Sequence, residues 1–388
     1  MQASVLIAFV GVLLAVQPLS TDLYLPSVPA MAEALQLSVV EAQGTFLAYL
    51  VGFAAGQLPA GTLSDRLGRR TVLVWAAAVY AVAAAVGALA PNGVVLLASR
   101  VVLGLGVSAM MVGGRAAIRD GFEPEAGERA LAKGFAGMGI SAVLAGGLGG
   151  ELARLLPWRA VMGLLALAGL ALWWWTWRAF RPQEHVSAEP TQPHAAGAWR
   201  QILGHGGFWF STMVAAVSFT EAVCFVSGSA LVLPRHFKVG PDTLGWTLTI
   251  CSTCFLLSTL GCQWVLARWG GARAMQLSSG FSVIAALLFA ASTQLEGLQA
   301  LACLVAGQMT FMFGHGANQV CGQASAVAPF PDHAGLAAAW SGTIMILFAA
   351  VCGHAQSMWL SHSVVSASSR GSSAHALTRR RSTRVGSG

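Results

Sequence analysis

Apolar residues recur along this chain in runs that stay apolar around the whole helical circumference rather than on one stripe. Eleven such runs stand out, at 4–32, 42–63, 71–90, 93–116, 132–154, 159–179, 208–233, 243–266, 274–292, 297–321 and 335–360. A helix of about 20 residues crosses a hydrocarbon core of about 30 Å, so each run predicts one membrane-spanning helix. The polar gap at 181–200, with Arg181, Pro182, Glu184, Glu189, Pro190 and Pro193, divides them into six and five. The organisation expected is a first half over 1–180, a linker over 181–200, a second half over 201–362 and a basic Ser/Arg-rich tail over 363–388.

Composition agrees: 56% of residues are hydrophobic and 10% charged, against about 45–50% and about 25% in soluble domains. Such a chain cannot cover itself with polar surface. The first run continues through Ser20, Thr21 and Asp22 without a small-residue cleavage site, as expected of a retained helix rather than a signal peptide.

With a cytoplasmic amino terminus, the inner loops and helix edges hold Arg66, Arg69, Arg70, Arg119, Arg129, Lys133, Arg178, Arg181, Arg200, Arg268 and Arg273, while the outer ones hold Arg154, Arg159, Arg235 and Lys238. Eleven against four follows the positive-inside rule and sets the expected orientation. Five of the formal +7 charges are the tail's Arg370, Arg379, Arg380, Arg381 and Arg384, so the basic balance does not point to nucleic acid. After eleven helices that tail would emerge on the outer side, against the same rule. An altered or frameshifted end replacing a twelfth helix is the expectation; a basic tail touching anionic lipid is the alternative.

Between the second and third runs lies Gly61-Thr62-Leu63-Ser64-Asp65-Arg66-Leu67-Gly68-Arg69-Arg70. Gly61 and Gly68 permit a tight turn, and Asp65 can accept hydrogen bonds from arginines or a helix amino terminus. The pattern G-x-L-x-D-R-x-G-R-R resembles the loop that marks the major facilitator superfamily. The resemblance implies an all-α integral membrane fold of two six-helix halves, here with the twelfth helix missing or replaced, enclosing a site near the bilayer midplane. It also implies that Gly61, Asp65, Arg66, Gly68, Arg69 and Arg70 latch the halves together on the inner side. Arg268-Trp269-Gly270-Gly271-Ala272-Arg273 stands where the second half would echo this turn.

Charges inside the runs are the functional candidates, because a carboxylate in hydrocarbon costs about 2.5–3.5 kcal/mol on insertion scales. Asp22 lies within Pro18-Leu19-Ser20-Thr21-Asp22-Leu23-Tyr24-Leu25-Pro26, followed by Ser27-Val28-Pro29. The segment resembles helix 1 of the bicyclomycin and chloramphenicol resistance (Bcr/CflA) drug:proton antiporters, which implies that Asp22 lines the cavity and handles substrate and proton. Otherwise it is an interfacial Asp. Arg100, in Arg100-Val101-Val102-Leu103-Gly104-Leu105-Gly106, resembles the superfamily's R-x-x-x-G-x-G, whose Arg is linked to proton coupling; snorkelling to the outer interface is the alternative. Arg115, farther along the same run, is expected to snorkel. Glu221, in the seventh run, could select cationic substrates or carry a second proton, or be satisfied by neighbouring Ser and Thr hydroxyls.

The fifth run is Gly-rich from Gly139 to Gly150, which allows close backbone approach between membrane helices. It also resembles the exporters' antiporter signature ending G-P-x-x-G-G. Gly149 and Gly150 match, and Gly146 stands where the family has Pro. Trp158-Arg159 resembles the W-R opening helix 6 of drug exporters, and Glu151 beside Arg154 reads as an interfacial ion pair.

All seven cysteines fall in the second half's runs and read as packing residues, although Cys251 and Cys254 have zinc-ligand spacing, so no metal is expected. Trp173, Trp174, Trp175 and Trp177 read as an interfacial anchor. Neither a phosphate-binding loop nor a catalytic set declares itself. A transporter rather than an enzyme is therefore expected, in a bacterial inner membrane, monomeric and without a cofactor, driven by the proton gradient. Its partners would be a small amphipathic drug, H+ and the bilayer. A metabolite transporter of the same fold, or a transport-dead truncated protein, are the other readings.

Overall fold

The computed structural model describes residues 3–179 and 197–385; the side chains of some positions within them, including Asp65, Arg119, Arg129 and those from 362 onward, lie outside the described set. The expected linker falls mostly outside as well. The chain forms α1 (Ala3–Asp22), a 3-10 turn (Leu25–Ser27), α2 (Val28–Ala34), α3 (Val39–Leu67), α4 (Arg69–Ala88), α5 (Gly93–Gly121), α6 (Pro124–Leu155), α7 (Trp158–Ala179), α8 (Ala198–Gly204), α9 (Gly206–Phe237), α10 (Pro241–Ser292), α11 (Gly297–Val327), a second 3-10 turn (Pro331–His333) and α12 (Ala334–Val385).

Among the described residues eleven segments are long and apolar enough to cross a membrane, each within a few residues of a predicted run. Two depart from a simple rod. The first span breaks after Asp22, because Pro26 and Pro29 lack the amide hydrogens that a continuous helix needs, and resumes as α2. Spans eight and nine are both within α10, separated at Gly270, whose φ of 77° and ψ of 172° are non-helical. Gly68, between α3 and α4, has φ 84° and ψ 145°. The same glycine conformation thus turns the chain at matching places in the two halves, which gives the faint sequence echo a structural basis.

Capping defines other ends. Ser38 and Glu41 form a reciprocal capping box at the start of α3, and the Asn92 side chain accepts from the Val95 amide at the start of α5. α12 contains the eleventh span, Ala334–Ser361, and its backbone stays helical past residue 363 to Val385. No proline interrupts that stretch.

Within the first half α5 packs on α1, α3 and α4, α4 on α7, and α1 on α6; within the second, α11 packs on α9 and α10, and α12 on α9. The halves meet through α6 against α10 and α3 against α12. One end of the bundle carries Gly68, Gly270 and the chain between α7 and α8, and is called here the linker end. The other, the far end, carries the turns after α2, α4, α6 and α9.

Glycines allow the tightest contacts. A Cβ at Gly104 would collide with the Tyr49 carbonyl, and one at Gly52 with the Val101 carbonyl, so α3 and α5 touch backbone to backbone. Large apolar side chains such as Trp75, Leu287 and Val351 are exposed on the bundle's outside, as expected for groups that face lipid.

Candidate functional site

Arg100 is the centre of the first half. It sits two turns inside α5 and has no exposed surface. Its Nη2 donates to the Ser20 carbonyl at 2.8 Å and its Nε to the Thr45 carbonyl at 3.3 Å. The Ser20 carbonyl belongs to the last turn of α1, where carbonyls lack helical donors. The guanidinium also lies 4.0 Å from the Tyr24 ring centroid and 5.2 Å from that of Tyr49, so two aromatic faces share its charge. Tyr80 meets the same cluster through a 3.0 Å hydrogen bond with Ser20 Oγ, and Tyr24 Oη lies 3.3 Å from Thr45 Oγ1. The chain's three tyrosines therefore converge on one buried cation. The snorkelling alternative for Arg100 is overturned: interior carbonyls and rings hold the charge that an interface would otherwise solvate.

Asp22 ends α1 at the proline-induced break and is half-buried. A carboxylate at a helix carboxyl terminus faces unfavourable backbone dipoles. Among the described residues Arg100 makes no ion pair with it. The two are linked indirectly. Arg100 holds the Ser20 carbonyl two residues before Asp22, and both groups lie within electrostatic reach of the Tyr49 phenol. Arg100 Nη1 and Tyr49 Oη are buried and have no hydrogen-bond partner in the protein.

The glycines expected to form the antiporter segment sit where the halves meet. A Cβ at Gly146 would lie 2.9 Å from Leu248 Cβ, and one at Gly150 would lie 2.7 Å from the Pro241 carbonyl, both on α10. Gly149 faces the other way, against the Leu23 carbonyl next to Asp22. Thr249 of α10 donates to the Val143 carbonyl at 2.8 Å and accepts from the Gly147 amide at 2.7 Å. α6 is thereby held to α10 on one face and to the Asp22 segment on another, toward the far end.

The charged turn at the linker end bonds within its own half. Arg69 pairs with Asp120 at 2.8 Å and donates to Ser64 Oγ, and Arg70 donates to the Trp177 carbonyl at 3.1 Å. Arg66 is exposed. Asp65 lies outside the described side chains, and none of these bonds from the other arginines crosses to the second half. Glu151 and Arg154 form the expected exposed pair at 2.9 Å. Arg115 is less exposed than snorkelling requires: its guanidinium lies 5.3 Å from the Phe135 ring and its Nε is buried without a partner.

The second half holds a polar set in an apolar shell. Glu221 of α9 lies beside Gln308 of α11, yet its Oε2 has no hydrogen-bond partner, and neither does the Gln308 amide, which is fully buried. One turn before Glu221, Ser218 bonds His315 Nδ1 at 2.8 Å and accepts weakly from Asn318 at 3.5 Å. The imidazole lies among Phe219, Phe255 and Phe311. Satisfaction of Glu221 by Ser and Thr hydroxyls is therefore not observed: Ser218 is engaged by His315, and Thr220 bonds the Ala216 carbonyl. Across the halves, Gln43 of α3 and Gln356 of α12 each approach Gly228 of α9, where a Cβ would lie 3.7 and 3.2 Å from their amide nitrogens.

The tyrosine box and the Gln308 to Asn318 face escaped the sequence reasoning. A signal existed for the second: Gln308, His315 and Asn318 interrupt one apolar run at spacings that place them on one helix face.

Residues 10–354 match the family described as "Major Facilitator Superfamily". The chain is 32% identical over 298 residues to a "Chloramphenicol resistance protein" of Pseudomonas aeruginosa, covering 74% of this chain and 68% of that protein. It is 25% identical over 349 residues to "Multidrug resistance protein MdtL" of Shewanella oneidensis, covering 88% and 85%. Among solved structures, a D-xylose-proton symporter superposes with a TM-score of 0.71 at 17% identity, covering 92% of this chain and 89% of the other.

Proposed function

The chain belongs to the Major Facilitator Superfamily and is a multi-pass membrane transporter rather than an enzyme; from that premise we propose that it exports amphipathic drugs across a bacterial inner membrane in exchange for protons. The observation that carries this reading is Asp22, an acid inside the bundle with no cation paired to it among the described residues, placed at the break of the first span and next to the α6 glycines that join the halves. Relatives named for chloramphenicol and multidrug resistance support the substrate class. Their names do not bear on the proton.

An acid held among apolar groups is stable with a proton or with a cation beside it. Proton and drug would therefore compete at Asp22, and competition for one site is sufficient for exchange if each ligand biases the same two-state rocking equilibrium. Arg100 acts as a positioning residue, fixing the backbone that carries Asp22. Its unbonded Nη1 gives it one donor to offer when the halves move. In this reading the turn at Asp65 to Arg70 secures the linker end in the opposite state, and the protein works as a monomer with its amino terminus in the cytoplasm.

The test is accumulation of a drug panel, chloramphenicol included, in an efflux-deficient bacterium expressing this chain, with and without a protonophore. Lowered accumulation that the protonophore restores is the expected result. A confirmed membrane protein that lowers the accumulation of no compound overturns drug export and leaves a metabolite transporter or a transport-dead protein.

A further inference from the structure

We propose that Glu221 and Gln308 form a second ligand site, separate from Asp22, which recognises organic cations bearing N–H donors on an aromatic or aliphatic body. Three observations carry it. Glu221 Oε2 and both ends of the fully buried Gln308 amide lack a bond of good hydrogen-bond geometry although the two side chains lie close enough to interact, so acceptors on two helices stand side by side with capacity to spare. Buried polar groups are bonded in the great majority of cases, so an unbonded pair on neighbouring helices calls for a partner that the protein itself does not supply. The surroundings are aromatic and soft: Cys251 of α10 lies within electrostatic reach of Glu221, and its cluster contains Phe311 with Phe225, Phe255 and Phe289 packed against it. A carboxylate backed by aromatic faces suits a cation. Lastly, the polar set one turn away, Ser218, His315 and Asn318, is bonded within itself.

The site spans α9, α10 and α11, where α9 and α10 each pack against α11 and barely against one another. A guest between them would be held by helices of one half only. Its N–H groups would donate to Glu221 Oε2 and Gln308 Oε1 while its body lies against the phenylalanines. This inference deepens the transport reading by naming a substrate class, and it rests on that reading only for the transport arm of its test.

Ethidium is the probe, and its equilibrium binding to the purified full-length protein in detergent is measured by fluorescence anisotropy. The parent should bind, Glu221→Gln should weaken binding at least about tenfold, the scale of one charge-assisted hydrogen bond in a water-poor site, and Glu221→Asp should recover most of it. Gln308→Leu should cost a few-fold. In cells the ratio of ethidium to chloramphenicol export should fall about tenfold in Glu221→Gln. Monodisperse elution of each variant shows that it has folded. Absence of parental binding at saturating probe, or equal binding by Glu221→Gln, overturns the site. Binding that depends on Glu221 in a protein that exports nothing would leave this site standing and defeat the export reading instead.

Discussion

Each half of this transporter buries a charge inside the membrane, and the two are treated in opposite ways. Arg100 is enclosed by two backbone carbonyls and two tyrosine rings, with a third tyrosine bonded to the same segment. Glu221 has one oxygen without a hydrogen bond of good geometry, beside a glutamine amide in the same condition. At least half of the most apolar window is buried in each of the first four spans and in the seventh, which carries Glu221, against 28% and 39% in the fifth and sixth and 17–39% in the eighth to eleventh. A cation bonded through two of its three nitrogens and lying against rings of its own half acts as a fixed staple, whereas a carboxylate with an unbonded oxygen in the other half is adapted to meet something that arrives and leaves. The first half is a platform; the second is the more adaptable face.

Removing the staple would break this contrast most severely. Arg100→Ala takes the donors from two buried carbonyls and leaves a cavity between three tyrosines, so a loss of about 3 kcal/mol or more is expected. Thermal unfolding in detergent checks it, and unchanged unfolding would remove Arg100 from its structural role. Arg100→Lys should be intermediate, because an ammonium cannot reproduce a planar fork lying against a ring.

Asp22→Asn probes the platform's one working group. Insertion and expression should stay near the parent's, while the protonophore-sensitive part of drug efflux should disappear. Parental transport by this variant would place the coupling elsewhere. The join between platform and adaptable half comes next. Gly150→Val would press a side chain into the Pro241 carbonyl, at an overpacking cost of about 1–3 kcal/mol, and should slow closure at the far end. Thiol labelling of a cysteine introduced at that end would rise if closure is impaired; an unchanged labelling rate would show that α6 and α10 tolerate separation.

The smallest effect is expected at the linker end, where Asp120→Asn breaks an ion pair with Arg69 in which Asp120 is nearly half exposed. A change of at most about 1 kcal/mol in unfolding is predicted. A much larger loss would mean that this turn braces the platform as strongly as Arg100 does.

The spans and their number among the described residues were legible in the sequence, because a bilayer imposes a length and a polarity that each segment must satisfy on its own. The turn at Gly68 and its counterpart at Gly270 were legible for a similar reason, since a reversal of this kind needs glycine wherever it occurs. The break after Asp22 could have been read from Pro26 and Pro29, yet apolar continuity hid it. Asp22, Arg100 and Glu221 stood out as charges in hydrocarbon. Their partners did not.

Whether a buried charge is satisfied depends on which carbonyls and rings other helices bring to it, and those come from positions as far apart as Ser20, Thr45 and Tyr80. Nothing local marks Tyr24, Tyr49 and Tyr80 as neighbours, or sets Gln308 beside Glu221 rather than against lipid. The chain's own chemistry determined a helical membrane protein with costly charges in its spans, and the resemblance of its motifs pointed to a transporter. Only helix packing decided that the cation would be boxed in and that one of the acids would be left open, because satisfaction in a water-poor interior is a property of groups brought together across the fold.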